Sequence, residues 1–342
     1  MISSSPASAG RAVTSPAPDD FAAPWGARGY VTDLDGPVYW IEFSPAEDHA
    51  QDLDHARDLD RAQDRDGNPD KAWDLPIVFV HGLGGSHLNW CLIGPALAAG
   101  RRVVALDLHG FGLTPGTRAD ATVQANRRLL DRFVREVIGR PVILVGNSMG
   151  GLITILEASA APDIVRGAVL IDPALPLPPQ KPDWAVSGTF LAYLLPGLGE
   201  LFVKRVLDQR SPEQAVRELT ELCFADPSRA QPQMTAAEVA LAAKRQSGPP
   251  RDKAFLAAAR SLLLVLSRRG RYREMMGRIA VPVLLIGGDA DRLVPVAAMR
   301  QAAARFPRWE SVILAGVGHA PQLEVPDVVA ATIRDWLSRH FR

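Results

Sequence analysis

The segment Leu144-Val-Gly-Asn-Ser-Met-Gly-Gly151 decides the fold prediction, because two local patterns meet within it. The β-branched run Val142–Val145 is typical of a buried strand, and the apolar run that begins at Leu152 is typical of a helix. Glycines on either side of Ser148 permit a strained backbone between the two. The segment therefore predicts a sharp strand-to-helix turn that holds the Ser148 hydroxyl clear of a sheet.

Short apolar runs recur on both sides of this segment. They are Ile77–Val80, Val103–Leu106, Val142–Val145, Ala168–Ile171, Val283–Ile286 and Ser311–Leu314. Helix-length segments separate most of them, which predicts an α/β fold with a mostly parallel, doubly wound sheet. The alternation from Gly29 to Phe43 around Asp35-Gly36 predicts an N-terminal antiparallel hairpin. Ligands bind at the carboxyl ends of parallel strands, so the residues after each run are the functional candidates.

The remaining segments divide the chain around that sheet. Residues 1–28 are rich in Ser, Ala and Pro and lack the apolar core of a secretory signal, so we expect a disordered tail and a cytoplasmic protein. Residues 29–172 form the first part of the core, with a charged, flexible insertion at 46–74. The strand rhythm stops over 173–279, where helical patterns predict an inserted cap. The second part of the core is expected at 280–342.

Composition limits the classes of partner. Lys plus Arg number 38 and Asp plus Glu number 38, so no net field favours a nucleic acid or an anionic membrane. The two cysteines, Cys91 and Cys223, are too few for a disulfide framework and lack metal-ligand spacing. The apolar window 189–207 is interrupted by Pro196 and by charges, which argues against a membrane span. We expect a small-molecule substrate and neither metal nor cofactor.

Catalysis by Ser148 requires a base and a carboxylate, since a serine hydroxyl is a weak nucleophile at neutral pH. The candidate base is His319, just after the last strand. A carboxylate that holds the imidazole tautomer is offered by Asp289 and Asp291, which follow Val283–Ile286. Asp172, which follows the preceding strand, is a third choice.

An oxyanion hole is predicted in the glycine-rich segment Val80-His-Gly-Leu-Gly-Gly-Ser86, which again follows a strand. Backbone N–H groups placed where negative charge develops would stabilise the transition state. We expect the N–H of Leu83 and the N–H of Met149 to form this pair. His81 is expected to brace the loop and not to transfer protons.

From about residue 29 to 342 the chain resembles the α/β-hydrolase superfamily, in its capped branch. The motifs that carry the resemblance are His81-Gly-Leu-Gly84, Asp107-Leu-His-Gly-Phe-Gly112, Gly146-Asn-Ser-Met-Gly-Gly151, Gly288-Asp-Ala-Asp-Arg-Leu-Val-Pro295 and Gly318-His-Ala-Pro-Gln-Leu-Glu324. The resemblance implies that Asp291, four residues before Pro295, is the catalytic acid and that Asp289 is the runner-up. It also implies a structural role for Asp107. Glu324 is expected to anchor the loop that carries His319, which we call the histidine loop.

The same resemblance narrows the reaction. Epoxide hydrolases and haloalkane dehalogenases of this superfamily use an aspartate where this chain has Ser148, which favours a serine carboxylesterase acting through an acyl-enzyme. The elbow also resembles that of meta-cleavage-product hydrolases, which break C–C bonds. Those enzymes carry an aromatic residue after the catalytic histidine, whereas this chain has Ala320. Perhydrolase and thioesterase activities remain alternatives, as does a catalytically silent ligand-binding role.

Substrate preference depends on aromatic and leucine residues near the start of the cap. They are Trp184, Phe190, Tyr193 and Leu194, with Leu195 and Phe202 close by. These side chains could line an apolar acyl pocket beneath the cap, which would favour a moderately hydrophobic ester. They could equally form the hydrophobic core of the cap itself.

Overall fold

A nine-stranded sheet forms the centre of the molecule. The computed structural model describes residues 12–45, 75–176, 210–248 and 252–341. The strands are β1 (Thr14–Pro16), β2 (Ala27–Asp33), β3 (Pro37–Phe43), β4 (Ile77–Val80), β5 (Val103–Leu106), β6 (Val142–Asn147), β7 (Val165–Ile171), β8 (Val283–Gly288) and β9 (Glu310–Leu314). Their order is β1-β2-β3-β5-β4-β6-β7-β8-β9. The pairs from β1 to β5 are antiparallel and the pairs from β5 to β9 are parallel, which confirms the predicted sheet and hairpin.

Helices cover both faces of this sheet. They are α1 (Gly94–Leu97), α2 (Val123–Arg132), α3 (Met149–Ala160), α4 (Pro212–Cys223), α5 (Pro232–Gln246), α6 (Asp252–Ser267), α7 (Arg269–Gly277), α8 (Val296–Arg305), α9 (Pro321–Glu324) and α10 (Pro326–His340). A π-helical segment, Phe133–Ile138, continues α2. Apolar residues of α2, α3, α7 and α8 pack in one core, and those of α1, α9 and α10 pack in the other.

The central strands are apolar along their whole length because both of their faces are covered. In β4, Val78 and Val80 belong to the core beneath α2 and α3. Ile77 and Phe79 belong to the core beneath α10. All four side chains are fully buried, and burial of each stabilises the fold by roughly 1.5–3 kcal/mol. The carboxyl ends of the parallel strands are thereby held at one rigid edge, where the candidate residues lie.

Order begins earlier in the chain than the sequence pattern indicates. The expectation of a disordered tail through residue 28 does not hold for residues 12–28, because β1 pairs antiparallel with β2. The hydroxyls of Thr14 and Thr32 lie 2.7 Å apart across this pair. A three-residue strand with exposed side chains has no apolar alternation to reveal it. Its order comes from pairing with the neighbouring strand, which depends on tertiary structure.

The helical segment predicted at 173–279 leaves the sheet after β7 and returns at β8. We call residues 210–248 and 252–267, which carry α4, α5 and α6, the inserted segment. Helix α7 packs against α3, and its Tyr272 hydroxyl donates to Ala174 O at 3.0 Å. The chain has therefore rejoined the helical layer of the core before residue 279, where the sequence analysis ended the cap.

Several sequence predictions fall outside the residues that the structure describes. They concern the charged insertion at 46–74 and the pocket candidates Trp184, Phe190, Tyr193 and Leu194. Within the described ranges, none of the helices combines the length and the apolar character needed to cross a bilayer.

Candidate active site

Ser148 occupies the sharp turn between β6 and α3. Its backbone has φ 54° and ψ −118°, a conformation that residues with a side chain seldom adopt. Gly150 makes the turn possible, because a Cβ at this position would lie 2.0 Å from Val80 O. Ser148 N–H donates to Ile171 O at 3.1 Å, and Ala174 N–H donates to Ser148 O at 2.9 Å. Bonds from β7 thus hold a strained residue whose side chain is only partly buried.

His319 lies on the loop between β9 and α9, and its backbone is bonded to two other parts of the molecule. Asn147 Nδ2, next to the predicted nucleophile, donates to His319 O at 3.1 Å. His319 N–H donates to Cys223 O, at the end of α4, at 2.6 Å. The backbone of His319 is therefore held by the end of β6 on one side and by the inserted segment on the other.

Asp291 is the carboxylate that the structure brings to this histidine. Its Oδ2 lies 2.7 Å from His319 Nδ1. Its Oδ1 accepts from Leu293 N–H at 2.7 Å and from Val294 N–H at 3.0 Å. With Nδ1–H donating to Asp291, Nε2 of the imidazole is the nitrogen left to accept a proton. Within the described residues no hydrogen bond joins Ser148 Oγ to His319, a contact that often tightens only when substrate binds.

The runner-up carboxylate has another role in the structure. Asp289 is exposed and accepts from Gly316 N–H at 2.7 Å. This bond ties the loop after β8 to the start of the histidine loop. Asp289 therefore shapes the backbone around the site, whereas Asp291 contacts the imidazole.

The loop His81–Ser86 after β4, which we call the oxyanion loop for its predicted role, packs directly against the Ser148 turn. A Cβ at Gly82 would lie 3.0 Å from Ser148 Cβ, a tight contact that favours glycine at this position. Gly85 N–H donates to Gly82 O at 3.2 Å and closes a tight turn. Across the described part of the chain, neither Leu83 N–H nor Met149 N–H donates to another atom. Two backbone donors are thus available near Ser148.

His81 braces this loop as a neutral side chain. Its Nδ1 lies 2.8 Å from Gly82 O, and its Nε2 accepts from Leu108 N–H at 3.0 Å. Burial lowers the pKa of His81 to about 4, which keeps the ring uncharged at neutral pH. Both nitrogens are engaged, so His81 has none left for proton transfer.

Asp107 bonds the backbone just after the loop that His81 braces. Its oxygens accept from His87 N–H at 2.6 Å and from Leu113 N–H at 2.7 Å. Burial acts to raise the pKa of Asp107, but the nearby His87 and these hydrogen bonds outweigh it and lower the pKa. Asp107 is fully buried and contacts loop backbone on two sides. This geometry supports a structural role.

Glu324 joins the histidine loop to the inserted segment. Its Oε2 accepts from Gly318 N–H at 2.7 Å and from Ala225 N–H at 3.1 Å. Its Oε1 accepts from Asp226 N–H and from Arg229 Nη1, each at 3.0 Å. One buried carboxylate therefore fixes the residue before His319 and the residues after α4 together.

Sequence reasoning missed several groups around the site. The side chain of Asn147 and the carbonyl of Cys223 both bond the backbone of His319, and neither had a signal beyond its place in the chain. Phe255 on α6 lies beside the oxyanion loop, 3.8 Å from where a Cβ at Gly84 would be. An aromatic residue in the apolar run of α6 was its only sequence signal. Phe255 is therefore a candidate for the pocket wall.

Comparisons with known proteins identify the family of the chain. The family model described as the alpha/beta hydrolase family matches residues 77–332. A pimeloyl-[acyl-carrier protein] methyl ester esterase of Xanthomonas oryzae pv. oryzae is 30% identical over 244 residues, covering 68% of this chain and 83% of the relative. A dihydrolipoyllysine-residue acetyltransferase component of an acetoin cleaving system, from Pseudomonas putida, is 29% identical over 272 residues. That alignment covers 78% of this chain but only 64% of the longer relative.

A solved structure shows the same architecture. The crystal structure of a putative lipase from Acinetobacter baumannii AYE matches with a TM-score of 0.69 and 18% identity. The match covers 94% of this chain and 96% of the other. At this identity the likeness concerns the fold alone, and it agrees with the family match over most of the sheet. The chain belongs to the α/β-hydrolase family.

Proposed function

We propose that this protein is a serine carboxylesterase with Ser148 as nucleophile, His319 as base and Asp291 as orienting acid. The observation that carries the proposal is the strained Ser148 turn, with φ 54°, next to the His319–Asp291 pair at 2.7 Å. A strained nucleophile turn and a paired imidazole are the two parts that acyl transfer by serine requires. The carboxylic ester is that of a moderately hydrophobic small molecule.

Acylation begins when Ser148 Oγ attacks the carbonyl carbon of the ester. His319 Nε2 takes the hydroxyl proton, and the C=O electrons move onto the oxygen to give a tetrahedral oxyanion. Asp291 stabilises the imidazolium that forms, because its Oδ2 already accepts from Nδ1. Collapse of the intermediate expels the alcohol, which receives the proton from His319. The acyl group is then bound to Ser148.

The oxyanion is stabilised by the two backbone donors beside Ser148. Leu83 N–H comes from the loop after β4, and Met149 N–H is the first donor of α3. Since both are held by rigid elements, little reorganisation is needed as charge develops. Each donor contributes roughly 3 kcal/mol to the lowering of the barrier. Water activated by His319 then attacks the acyl-enzyme and releases the acid.

The pocket for the acyl group is assigned to the space between the sheet edge and the inserted segment. Phe255 lies against the loop after β4 there. The sequence candidates Trp184, Phe190, Tyr193 and Leu194 lie outside the described residues. The esterase name of the Xanthomonas oryzae relative supports an ester over a C–C bond. Both cysteines are free thiols, which supports the reducing cytoplasm as the location.

The test is hydrolysis of p-nitrophenyl esters of increasing acyl length by purified protein. We expect turnover with an optimum at intermediate chain length, and its loss by at least roughly 10³-fold in Ser148→Ala. Ser338→Ala, which removes an exposed hydroxyl on α10, is the matched control and should retain full activity. Turnover that survives Ser148→Ala would reject the mechanism. Cleavage of a dienoic keto acid without ester turnover would instead assign the C–C hydrolase activity.

A further inference from the structure

A second carboxyl group lies behind the His319–Asp291 pair. Asp172 directly follows β7, the strand between the nucleophile strand β6 and the acid strand β8. It is 3% exposed, and its backbone has φ 37°, in the left-handed region. A strained, buried aspartate at the edge that carries the candidate site needs a physical reason.

Glycines in β8 open the space that this carboxyl occupies. A Cβ at Gly287 would lie 2.6 Å from Asp172 Oδ1 and 2.3 Å from Met299 Sδ. A Cβ at Gly288 would meet Val317 O at 2.1 Å. Glycine at position 287 thus lets Asp172 lie close to β8. Glycine at position 288 lets the loop that carries His319 lie close to β8.

Among the described residues, Asp172 has few hydrogen-bond partners for an ionised carboxylate. Gly288 N–H is its backbone donor, shared between Oδ1 and Oδ2 at 3.2 Å each. The other polar partner is the side chain of Asp291, with which Asp172 forms a hydrogen bond. Asp291, by contrast, accepts from two backbone N–H groups and from His319. Two carboxyl groups can share a hydrogen bond only if one holds a proton, and the poorly solvated one is Asp172.

We infer that Asp172 is a neutral carboxylic acid that donates its O–H to the Asp291 carboxylate, making a carboxylic acid–carboxylate pair behind His319. The inference rests on the proposed function, since it concerns the orienting acid of that site. Asp172 is a positioning residue, because it contacts Asp291 and acts through it. Its hydrogen bond holds the Asp291 carboxylate in line with His319 Nδ1.

The charges around the pair agree with this assignment. Burial raises the pKa of Asp172 well above its ordinary value, and the charge of Asp291 raises it further. The N–H of Gly288 opposes both effects, while the charge of Glu324 adds to them. The other titratable group of the site, His319, faces Asp291 and not Asp172. A proton on Asp172 relieves the repulsion among the carboxyl groups of Asp172, Asp291 and Glu324.

Two substitutions separate the neutral from the ionised form. Asp172→Asn mimics the protonated carboxyl, because its amide can donate to Asp291 and its oxygen can accept from Gly288 N–H. Asp172→Gly removes the donor while tolerating the positive φ. We expect Asp172→Asn to keep kcat and its pH profile within about threefold of the parent. Asp172→Gly should lose roughly 10- to 100-fold in kcat at nearly unchanged KM, with an altered acidic limb.

An infrared measurement tests the proton without any turnover. The difference spectrum between the parent protein and Asp172→Asn at neutral pH should contain the C=O band of a protonated carboxyl, since other protonated carboxyls cancel. Absence of this band would overturn the inference, as would a kcat loss in folded Asp172→Asn equal to that in Asp172→Gly. Because the spectrum requires no substrate, failure of ester hydrolysis is distinguishable from failure of this inference.

Discussion

Asp291 and Asp289 follow the same strand, β8, but their side chains make different contacts. Both follow β8 within three residues, but Asp291 is buried against His319 Nδ1 while Asp289 is exposed and bonds backbone. A carboxylate that orients an imidazole stabilises the charged form of the base in the transition state. The two residues therefore provide a matched pair for mutagenesis.

Asp291→Asn should lower kcat by roughly 10³- to 10⁴-fold, because an amide cannot stabilise the imidazolium and can impose the wrong tautomer. Asp289→Asn should remain within about threefold of the parent, since it can still accept from Gly316 N–H. The measurement is steady-state hydrolysis of the best p-nitrophenyl ester by each variant. Equal losses in both variants would contradict the assignment of the acid.

At the level of elements, the histidine loop is held by the inserted segment. Helix α4 ends at Cys223, whose carbonyl accepts from His319 N–H, and Glu324 of α9 accepts from the residues that follow α4. Arg292 Nη1 also donates to Glu221 O, which links the acid loop to the same helix. The inserted segment therefore positions His319, the proposed base.

Glu324→Gln tests this connection. The amide replaces one acceptor oxygen by a donor that faces N–H groups. Either Gly318 and Ala225 or Asp226 and Arg229 therefore lose their bonds. We expect a loss of roughly 2–4 kcal/mol in the free energy of unfolding and a fall in kcat of about tenfold. Chemical denaturation and ester hydrolysis measure the two effects. Glu221→Gln, at an exposed position of α4, is the control, and matching results for both variants would argue against the connection.

For the molecule as a whole, buried carboxyl groups control how stability depends on pH. Burial raises the pKa of Glu157, on α3, to about 7, although the bond from Arg127 at 2.8 Å opposes the shift. A group with a raised native pKa stabilises the fold at low pH, and this stabilisation is lost as the pH rises through the native value. Through this group, stability should therefore decline between roughly pH 4 and pH 8.

Glu157→Gln should reduce that decline, because the amide stays neutral at every pH. The expected difference from the parent is at most roughly 3 kcal/mol at alkaline pH and near zero at acidic pH. Urea denaturation across this pH range measures it, with Glu221→Gln as an exposed control. Parallel pH profiles for the parent and Glu157→Gln would show that Glu157 is ionised throughout.

Much of the fold and the candidate nucleophile could be predicted from the sequence because their signals are local. The apolar runs that became β4 to β9 lie in the chain as continuous segments, and the Gly146-x-Ser148-x-Gly150 pattern joins a strand and a helix within a few residues. Family resemblance selected Asp291, and the structure places it against His319. The short strand β1 was missed because three exposed residues carry no periodicity.

The sequence by itself determined the order of strands and helices, the strained Ser148 turn and the set of candidate side chains. Only the tertiary structure decided which of these groups meet, because the meetings join residues far apart in the chain. Asp172 contacts Gly288 across 116 positions, and Asn147 bonds His319 across 172. Such contacts depend on strand order and packing and leave no periodic pattern in the sequence. As a result, Asp291 lies against His319, Asp172 lies beside Asp291, and Asp289 bonds the loop before His319.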